Sequence, residues 1–282
     1  MLIATWNVNS IRTRLQQVKD WLEKVNPDLL CLQETKVTDE LFPRSELEKN
    51  GYQVSYHGQK AYNGVALISR YPLHDIRFGL SGELGDDSEA NYFGQQKRVI
   101  SALVNDIRVV NLYVPNGSSL DSDKYIYKIK WLKCLERYLQ AQGQRKEEPL
   151  CILGDFNIAL EDKDIHNPKR LSGGIMASQD ERNALNQILE GKLQDVFRLF
   201  EQETNHWSWW DYRSGAWNRD KGWRIDHIYL CEELISNAKS CVIDKEVRGK
   251  TQPSDHAPVV VDINWPPQEE DLKEELDDLF QY

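Results

Sequence analysis

Apolar residues alternate along the chain between short continuous runs, typical of strands, and helical spacings of three or four residues. Strands are predicted at 2–6, 29–34, 64–69, 99–104, 107–114, 150–153, 224–230 and 259–263. Two amphipathic helices are predicted, one carried by Leu15, Val18, Leu22 and Val25 and one by Tyr125, Ile129, Leu132, Leu135 and Leu139. The first should stop before Pro27, and a third helix is expected near 179–190.

The order of these elements indicates the fold class. Helices separate some strands, whereas other strands follow each other directly. This pattern favours a mixed α/β protein with layered sheets over a simple doubly wound sheet. Since nothing resembles a linker before residues 266–267, we predict one domain over residues 1–265 and an acidic C-terminal tail over 266–282.

Composition narrows the function classes. No apolar run approaches the roughly 20 residues of a membrane-spanning helix, and the start MLIATWNVNSIR lacks the order of a signal peptide. A cytoplasmic protein without membrane contact is therefore expected. Five cysteines without CxxC spacing argue against a disulfide framework and a zinc ribbon, and favour reduced, buried thiols.

The net charge of −10 argues against a simple nucleic-acid binder, which usually has a basic surplus. Part of this charge is local, because residues 268–282 contain seven acidic residues and one lysine. The overall acidity therefore leaves room for a basic face elsewhere.

Polar side chains follow or interrupt the predicted strands at several places. The residues concerned are Asn7, Asn9, Glu34, Asp155, Asn157, Asp226, Asp255 and His256. Taken singly, each has an ordinary explanation as a turn residue or a solvated charge. Taken together they predict a site, because strands hold the residues at their ends rigidly enough to direct several of them to one point.

The residue types suit the cleavage of a phosphodiester, which requires neutralised charge and a directed water molecule. Mg²⁺ prefers carboxylate and amide oxygens. The candidate metal ligands are Asn7, Glu34, Asp155, Asn157, Asp255 and His256. The candidate catalytic groups are Tyr113, Asp155, Asn157, Asp226 and His256. Either Asp155 or His256, with Asp226 orienting its ring, could take the proton from water.

Six segments carry a resemblance to the exonuclease III and AP endonuclease family. They are WNVNSIR, LQETK (32–36), YVPNG (113–117), GDFN (154–157), GWRIDH (222–227) and SDHAP (254–258). The resemblance implies a four-layered α/β sandwich with two packed mixed β-sheets flanked by helices. It also implies a monomeric, Mg²⁺-dependent nuclease, with Mn²⁺ as a substitute metal, that cuts double-stranded DNA at abasic sites and at 3′ ends.

The resemblance extends to substrate binding. It suggests Trp209, Trp223 and Ile225 as walls of an apolar pocket for a flipped, base-less deoxyribose. Further substrate-binding candidates are Asn9, Lys36, Asn116 and Arg224. With Arg213, Arg219 and Lys221, Arg224 would supply positive charge for phosphates, whereas Trp207 and Trp217 are expected in the core.

Family members often have aspartate where this chain has Asn9. The lost carboxylate bears on the affinity for the metal ion and on whether two metal ions bind.

Two alternative functions remain open at this point. One is another phosphoesterase of the same superfamily, acting on inositol phosphates or sphingomyelin. The other is a catalytically silent nucleic-acid-binding protein that retains the fold.

Overall fold

The structure, a computed structural model, describes residues 1–84, 86–143 and 148–267. The strands are β1 (Leu2–Asn7), β2 (Leu29–Gln33), β3 (Gln53–His57), β4 (Val65–Ser69), β5 (Leu73–Phe78), β6 (Val99–Val104), β7 (Ile107–Tyr113), β8 (Leu150–Asp155), β9 (Gln194–Asp195), β10 (Asp226–Leu230), β11 (Ala238–Ile243) and β12 (Val259–Ile263). The α-helices are α1 (Ile11–Val25), α2 (Arg44–Glu48), α3 (Ser81–Leu84), α4 (Ser88–Gly94), α5 (Asp123–Gly143), α6 (Pro168–Leu171), α7 (Gln179–Leu189), α8 (Val196–Phe200) and α9 (Glu232–Ser236). Single 3-10 turns lie at Asp39–Leu41, Asp162–Asp164, Arg213–Gly215, Trp217–Arg219 and Lys245–Gly249.

The strands form two mixed sheets of six strands each. One has the order β11-β12-β1-β2-β4-β3 and the other β5-β6-β7-β8-β10-β9. Each sheet has one parallel pair at its centre, β1 with β2 and β7 with β8, and its other pairs are antiparallel. The predicted two packed mixed sheets flanked by helices are therefore confirmed.

Apolar side chains on both faces of each sheet create the layers. Residues such as Ile3, Leu67 and Leu153 are fully buried in one cluster between the sheets. A second cluster packs α1 against the outer face of the first sheet through Trp6 and Leu22. A third cluster packs α5 and α7 against the second sheet. Because both faces of each central strand are covered, these strands read as continuous apolar runs.

The strand register brings the predicted polar residues to one edge. Asn7 is paired with Gln33 at the ends of β1 and β2, so Glu34 follows next to Asn7. In the other sheet Asp155 is paired with both Tyr113 and Asp226. The ends of several strands from both sheets thus meet on one side of the sandwich.

The predicted helices are confirmed, and α1 ends at Val25, because the following Asn26 is left-handed, with a φ of 57°, and stops the helix before Pro27. Two details were wrong. The strand predicted at 224–230 begins only at Asp226. The strand predicted at 150–153 extends to Asp155 and ends there, since Asn157 has a left-handed φ of 49°.

Four strands, β3, β5, β9 and β11, were not predicted. All lie at sheet edges or next to them, and β5 and β11 are largely exposed, so they lack an apolar run. The acidic tail predicted over 266–282 lies outside the described residues from 268 onward. Within the described ranges, no helix combines the length and apolar character needed to span a membrane.

Candidate active site

Two carboxylates and an amide form the centre of the site. The Asn7 Nδ2 donates to Glu34 Oε1 over 3.0 Å and to Asp155 Oδ2 over 2.8 Å. Asn7 and Asp155 are almost completely buried, and Glu34 is partly buried. One amide from the first sheet therefore connects carboxylates from both sheets.

A histidine–carboxylate pair lies beside this centre. His256 Nδ1 is 2.8 Å from Asp226 Oδ2, and His256 Nε2 is 3.8 Å from Asp155 Oδ2. Ser208 Oγ donates to the same Asp226 oxygen over 2.6 Å and accepts from the Asp226 amide. Asp226 is thereby fixed and in turn orients the imidazole ring so that Nε2 faces Asp155.

The electrostatics of this pair follow from burial and neighbouring charge. Burial disfavours the imidazolium, but the charges of Asp226 and Asp155 outweigh it and raise the pKa of His256. Burial raises the pKa of Asp155 above its ordinary value, and the nearby carboxylates of Asp226 and Glu34 add to this effect. His256 is therefore a cation at neutral pH.

The donor set fits a divalent metal ion. Ligand atoms of Glu34, Asp155 and His256 all lie within 4.8 Å of one another. A protonated imidazole has no lone pair for a metal, so in this arrangement His256 is not a ligand, contrary to the sequence prediction, and the donors are the two carboxylates. Two carboxylates match the one or two that Mg²⁺ usually takes from a protein. Burial opposes ionisation of Glu34, but Lys36 and the Asn7 amide outweigh it and lower the pKa of this carboxyl. Glu34 is therefore ionised at neutral pH.

The other predicted ligands are placed differently. Asn7 directs its NH₂ group at the carboxylates, while its oxygen accepts from the Asn9 amide. The oxygens of Asp255 accept from Asn9 Nδ2 and Trp209 Nε1 over 2.9 and 3.0 Å, and Asp255 is outside the three-residue cluster. In this arrangement Asn7 and Asp255 organise the site around the ligand cluster.

Tyr113, Asn116 and Asn157 form one wall. Asn116 Nδ2 donates to Asn157 Oδ1 over 2.9 Å, and the Asn157 amide donates to Asp155 Oδ1 over 2.9 Å. Burial, followed by the charge of Glu34, raises the pKa of Tyr113 well above its usual range. Tyr113 therefore retains its proton and is a hydrogen-bond donor at the edge of the cluster.

Lys36 links Glu34 to Asn9. Lys36 Nζ lies 2.6 Å from Glu34 Oε2 and also donates to Asn9 Oδ1. Asn9 thus bridges Lys36 and Asp255 as both acceptor and donor, a role that aspartate, having no donor, would not fill.

The predicted pocket residues come together. Trp223 and Ile225 are buried in one apolar cluster with Ile165 and Met176, and the half-buried Trp209 packs against it. Trp209 also pairs through its backbone with both Trp223 and His256. Because Trp223 is 7% and Ile225 1% exposed, this cluster meets the site mainly through Trp209.

The remaining tryptophans and the arginines of this segment differ in how far they are buried. Trp207 is buried in the core and Trp217 packs against the same cluster, as predicted. The guanidinium of Arg213 is exposed. The prediction for Arg224 was wrong, because its side chain is 1% exposed and binds Asp164 and Asp195.

Several residues that hold the site were missed. Ser208 has no local signal, since nothing in the sequence links it to Asp226. Ser254 stands in the quoted SDHAP segment, and its Oγ donates to the Asn7 carbonyl over 2.6 Å and accepts from the His256 amide. Arg14, on α1, donates to the carbonyls of Asn9 and Pro253. Only the position of Ser254 beside Asp255 offered a clue.

Known proteins show the same architecture and sequence. The sequence model of the Endonuclease/Exonuclease/phosphatase family matches residues 4–256. Exodeoxyribonuclease III of Haemophilus influenzae is 35% identical over 271 residues, covering 92% of this chain and 98% of that protein.

Two solved structures are similar over 94% of this chain. The 3′ phosphatase NExo from Neisseria, bound to a product DNA hairpin, has a TM-score of 0.88 and 39% identity, with all of that chain covered. An AP endonuclease from Archaeoglobus fulgidus has a TM-score of 0.86 and 38% identity, with 99% of that chain covered. With the strand-end carboxylates in the same sandwich, these matches establish that the chain belongs to the endonuclease/exonuclease/phosphatase family.

Proposed function

We propose that this protein is a Mg²⁺-dependent DNA repair nuclease that hydrolyses the backbone at abasic sites and removes nucleotides or blocking groups at 3′ ends. The observation that carries the proposal is the convergence of the Glu34 and Asp155 carboxylates and the His256 imidazole within 4.8 Å of one another, which places two oxygen donors for a metal beside a cation for phosphate. The similarity to exodeoxyribonuclease III, a 3′ phosphatase and an AP endonuclease supports DNA as the substrate.

Glu34 and Asp155 would hold the metal ion, since Mg²⁺ prefers oxygen ligands, and Mn²⁺ would substitute because it accepts the same donors. When bound, the ion neutralises charge on the phosphate and its leaving oxygen. The His256 imidazolium, held by Asp226, faces the same point and stabilises phosphate charge. Tyr113 retains its proton and donates a hydrogen bond to a phosphate oxygen.

The charge on His256 bears on which group takes the proton from water. A base must be unprotonated at the operating pH, and two carboxylates keep His256 protonated. Asp155 is therefore the better candidate, since its carboxylate lies within the cluster and 3.8 Å from His256 Nε2. Asn157, bonded to Asp155 through its backbone amide, orients the water.

Substrate selection is assigned to the apolar surface beside the cluster. Trp209, Trp223 and Ile225 would enclose a deoxyribose that lacks its base, and a flipped nucleotide costs least to extrude when the base is missing. Lys36 and Asn116 border the same region and would contact the backbone. A monomeric state and a cytoplasmic location stay predictions.

The test is incision of a duplex containing one abasic analogue, with Mg²⁺ titrated against EDTA and a 3′-phosphate duplex measured in parallel. We expect metal-dependent cleavage of both substrates. Cleavage of neither duplex, with turnover of an inositol phosphate or sphingomyelin, would identify the other phosphoesterase. Binding without cleavage in Mg²⁺ would identify the silent nucleic-acid-binding protein.

A further inference from the structure

A fully buried lysine lies directly behind the wall formed by Asn116 and Asn157. Lys128, on α5, has no exposed surface. Its ammonium donates to the Asn157 carbonyl over 2.8 Å, to the Asn116 carbonyl over 3.3 Å and to Glu181 Oε1 over 2.5 Å. All three ammonium protons are thus used, two of them on the backbone of site residues.

The two carbonyls belong to the residues whose side chains are themselves bonded to each other. Asn157 has a left-handed φ of 49°, and its Nδ2 donates to the Val114 carbonyl over 3.0 Å. Its Oδ1 accepts from Asn116 Nδ2. The ammonium thus binds the backbone of both residues, while their side chains are bonded to each other and, for Asn157, to Val114.

Glu181 neutralises this charge and is satisfied independently. Besides Lys128, it accepts from the amides of Met176 and Ser178 over 3.1 and 3.0 Å and from Ser178 Oγ over 2.7 Å. The bond from the Ser178 amide, with the bond from the Glu181 amide to Ser178 Oγ over 3.3 Å, forms the N-terminal capping box of α7. The Glu181 carboxylate therefore stabilises the start of α7, while the Lys128 ammonium binds the loops that carry Asn116 and Asn157.

We propose that Lys128 is a positioning residue that aligns Asn116 and Asn157 for the reaction, with Glu181 as its counter-ion. This inference rests on the proposed function, because it takes phosphodiester hydrolysis as the reaction for which the two amides are aligned. The competing explanation is a purely structural ion pair that joins α5 to α7, in which case activity would follow stability alone.

The two explanations differ in the double variant K128M/E181Q. Removing Lys128 alone leaves an unpaired buried carboxylate and destabilises the fold, whereas the double variant buries no unpaired charge. We expect its thermal unfolding midpoint to recover toward wild type relative to K128M. Its kcat on the abasic duplex should stay roughly 10- to 100-fold below wild type, as expected for misplaced orienting groups, with KM changed about twofold or less.

Two further variants complete the test. E181Q keeps the ammonium and should retain more of kcat than K128M/E181Q. R108M is the matched control, because Arg108 is a buried cation paired with Glu148 and Asp75 at the opposite end of the strand that ends at Tyr113. It should lower the unfolding midpoint without changing kcat.

A readout independent of cleavage separates this inference from the proposed function. The side-chain amide resonances of Asn116 and Asn157 should shift in K128M/E181Q and stay in place in R108M. Any one of three results would overturn the inference. The resonances could stay unchanged, kcat could recover together with the unfolding midpoint, or E181Q could be as inactive as the double variant. An inactive wild type with shifted resonances would instead overturn the proposed function.

Discussion

Replacing Arg224 by methionine tests whether this residue stabilises the fold or binds DNA. Its side chain is 1% exposed and makes two bidentate pairs, with Asp164 at 2.7 and 3.2 Å and with Asp195 at 3.2 and 2.7 Å. R224M would leave Asp164, which is fully buried, with the remaining ion pair to Arg198. Asp195 would keep its role as the N-cap of α8.

The size of the effect follows from these contacts. Breaking a buried ion pair by removing one partner costs about 3–5 kcal/mol of unfolding free energy. Since Arg198 still compensates Asp164 and Asp195 is 12% exposed, we expect the lower end, about 3 kcal/mol. At 2–4 °C per kcal/mol, this corresponds to a midpoint lowered by about 6–12 °C.

The loss of unfolding free energy in R224M should depend on pH, and the structure gives the direction of this dependence. Burial opposes ionisation of Asp164, but Arg224 outweighs it and holds the pKa of this carboxyl well below its usual range. A depressed folded pKa contributes stability that is present above the unfolded pKa of about 3.9 and is lost as pH falls toward the folded pKa. The difference between wild type and R224M should therefore narrow below about pH 4.

Urea unfolding followed by fluorescence of the nine tryptophans measures the stability change. Anisotropy of an abasic duplex in EDTA, at several salt concentrations, measures phosphate contacts, because each contact contributes about 0.9 to the salt slope. R213M, which removes an exposed guanidinium, is the control and should leave the urea midpoint unchanged. A salt slope reduced by about one in R224M, at wild-type stability, would refute the structural role.

The remaining predictions concern the site. E34Q should raise the Mg²⁺ concentration for half-maximal cleavage and preserve the unfolding midpoint; a wild-type metal titration would remove Glu34 from the ligand set. D155N and H256A should each lower kcat by about 10²–10⁴, measured in single-turnover reactions, and a loss below tenfold in either would contradict its role. W223A should slow abasic-site incision more than 3′-phosphate removal, and equal losses would indicate general packing damage instead.

Local sequence was sufficient for the elements and for much of the site. A strand buried on both faces must be a continuous apolar run, so a polar residue directly after it marks the end of the strand. Glu34 and Asp155 were found at the ends of such runs, and Asp226 as an acid that interrupts one; the first two meet His256 in one cluster, and Asp226 binds the His256 ring. The edge strands β5 and β11 escaped prediction because their exposed faces carry no apolar pattern.

The tertiary structure alone decided which charged residues face solvent and which are buried in ion pairs. Arg213 and Arg224 stand in the same basic and aromatic segment, yet one is exposed and the other is buried between two aspartates. Lys128 reads as an ordinary polar position of a helix and is fully buried behind the site. Burial of a charge depends on partners that are distant in sequence, such as Asp164 and Glu181. Local periodicity records which face of an element is apolar and carries no information about those partners.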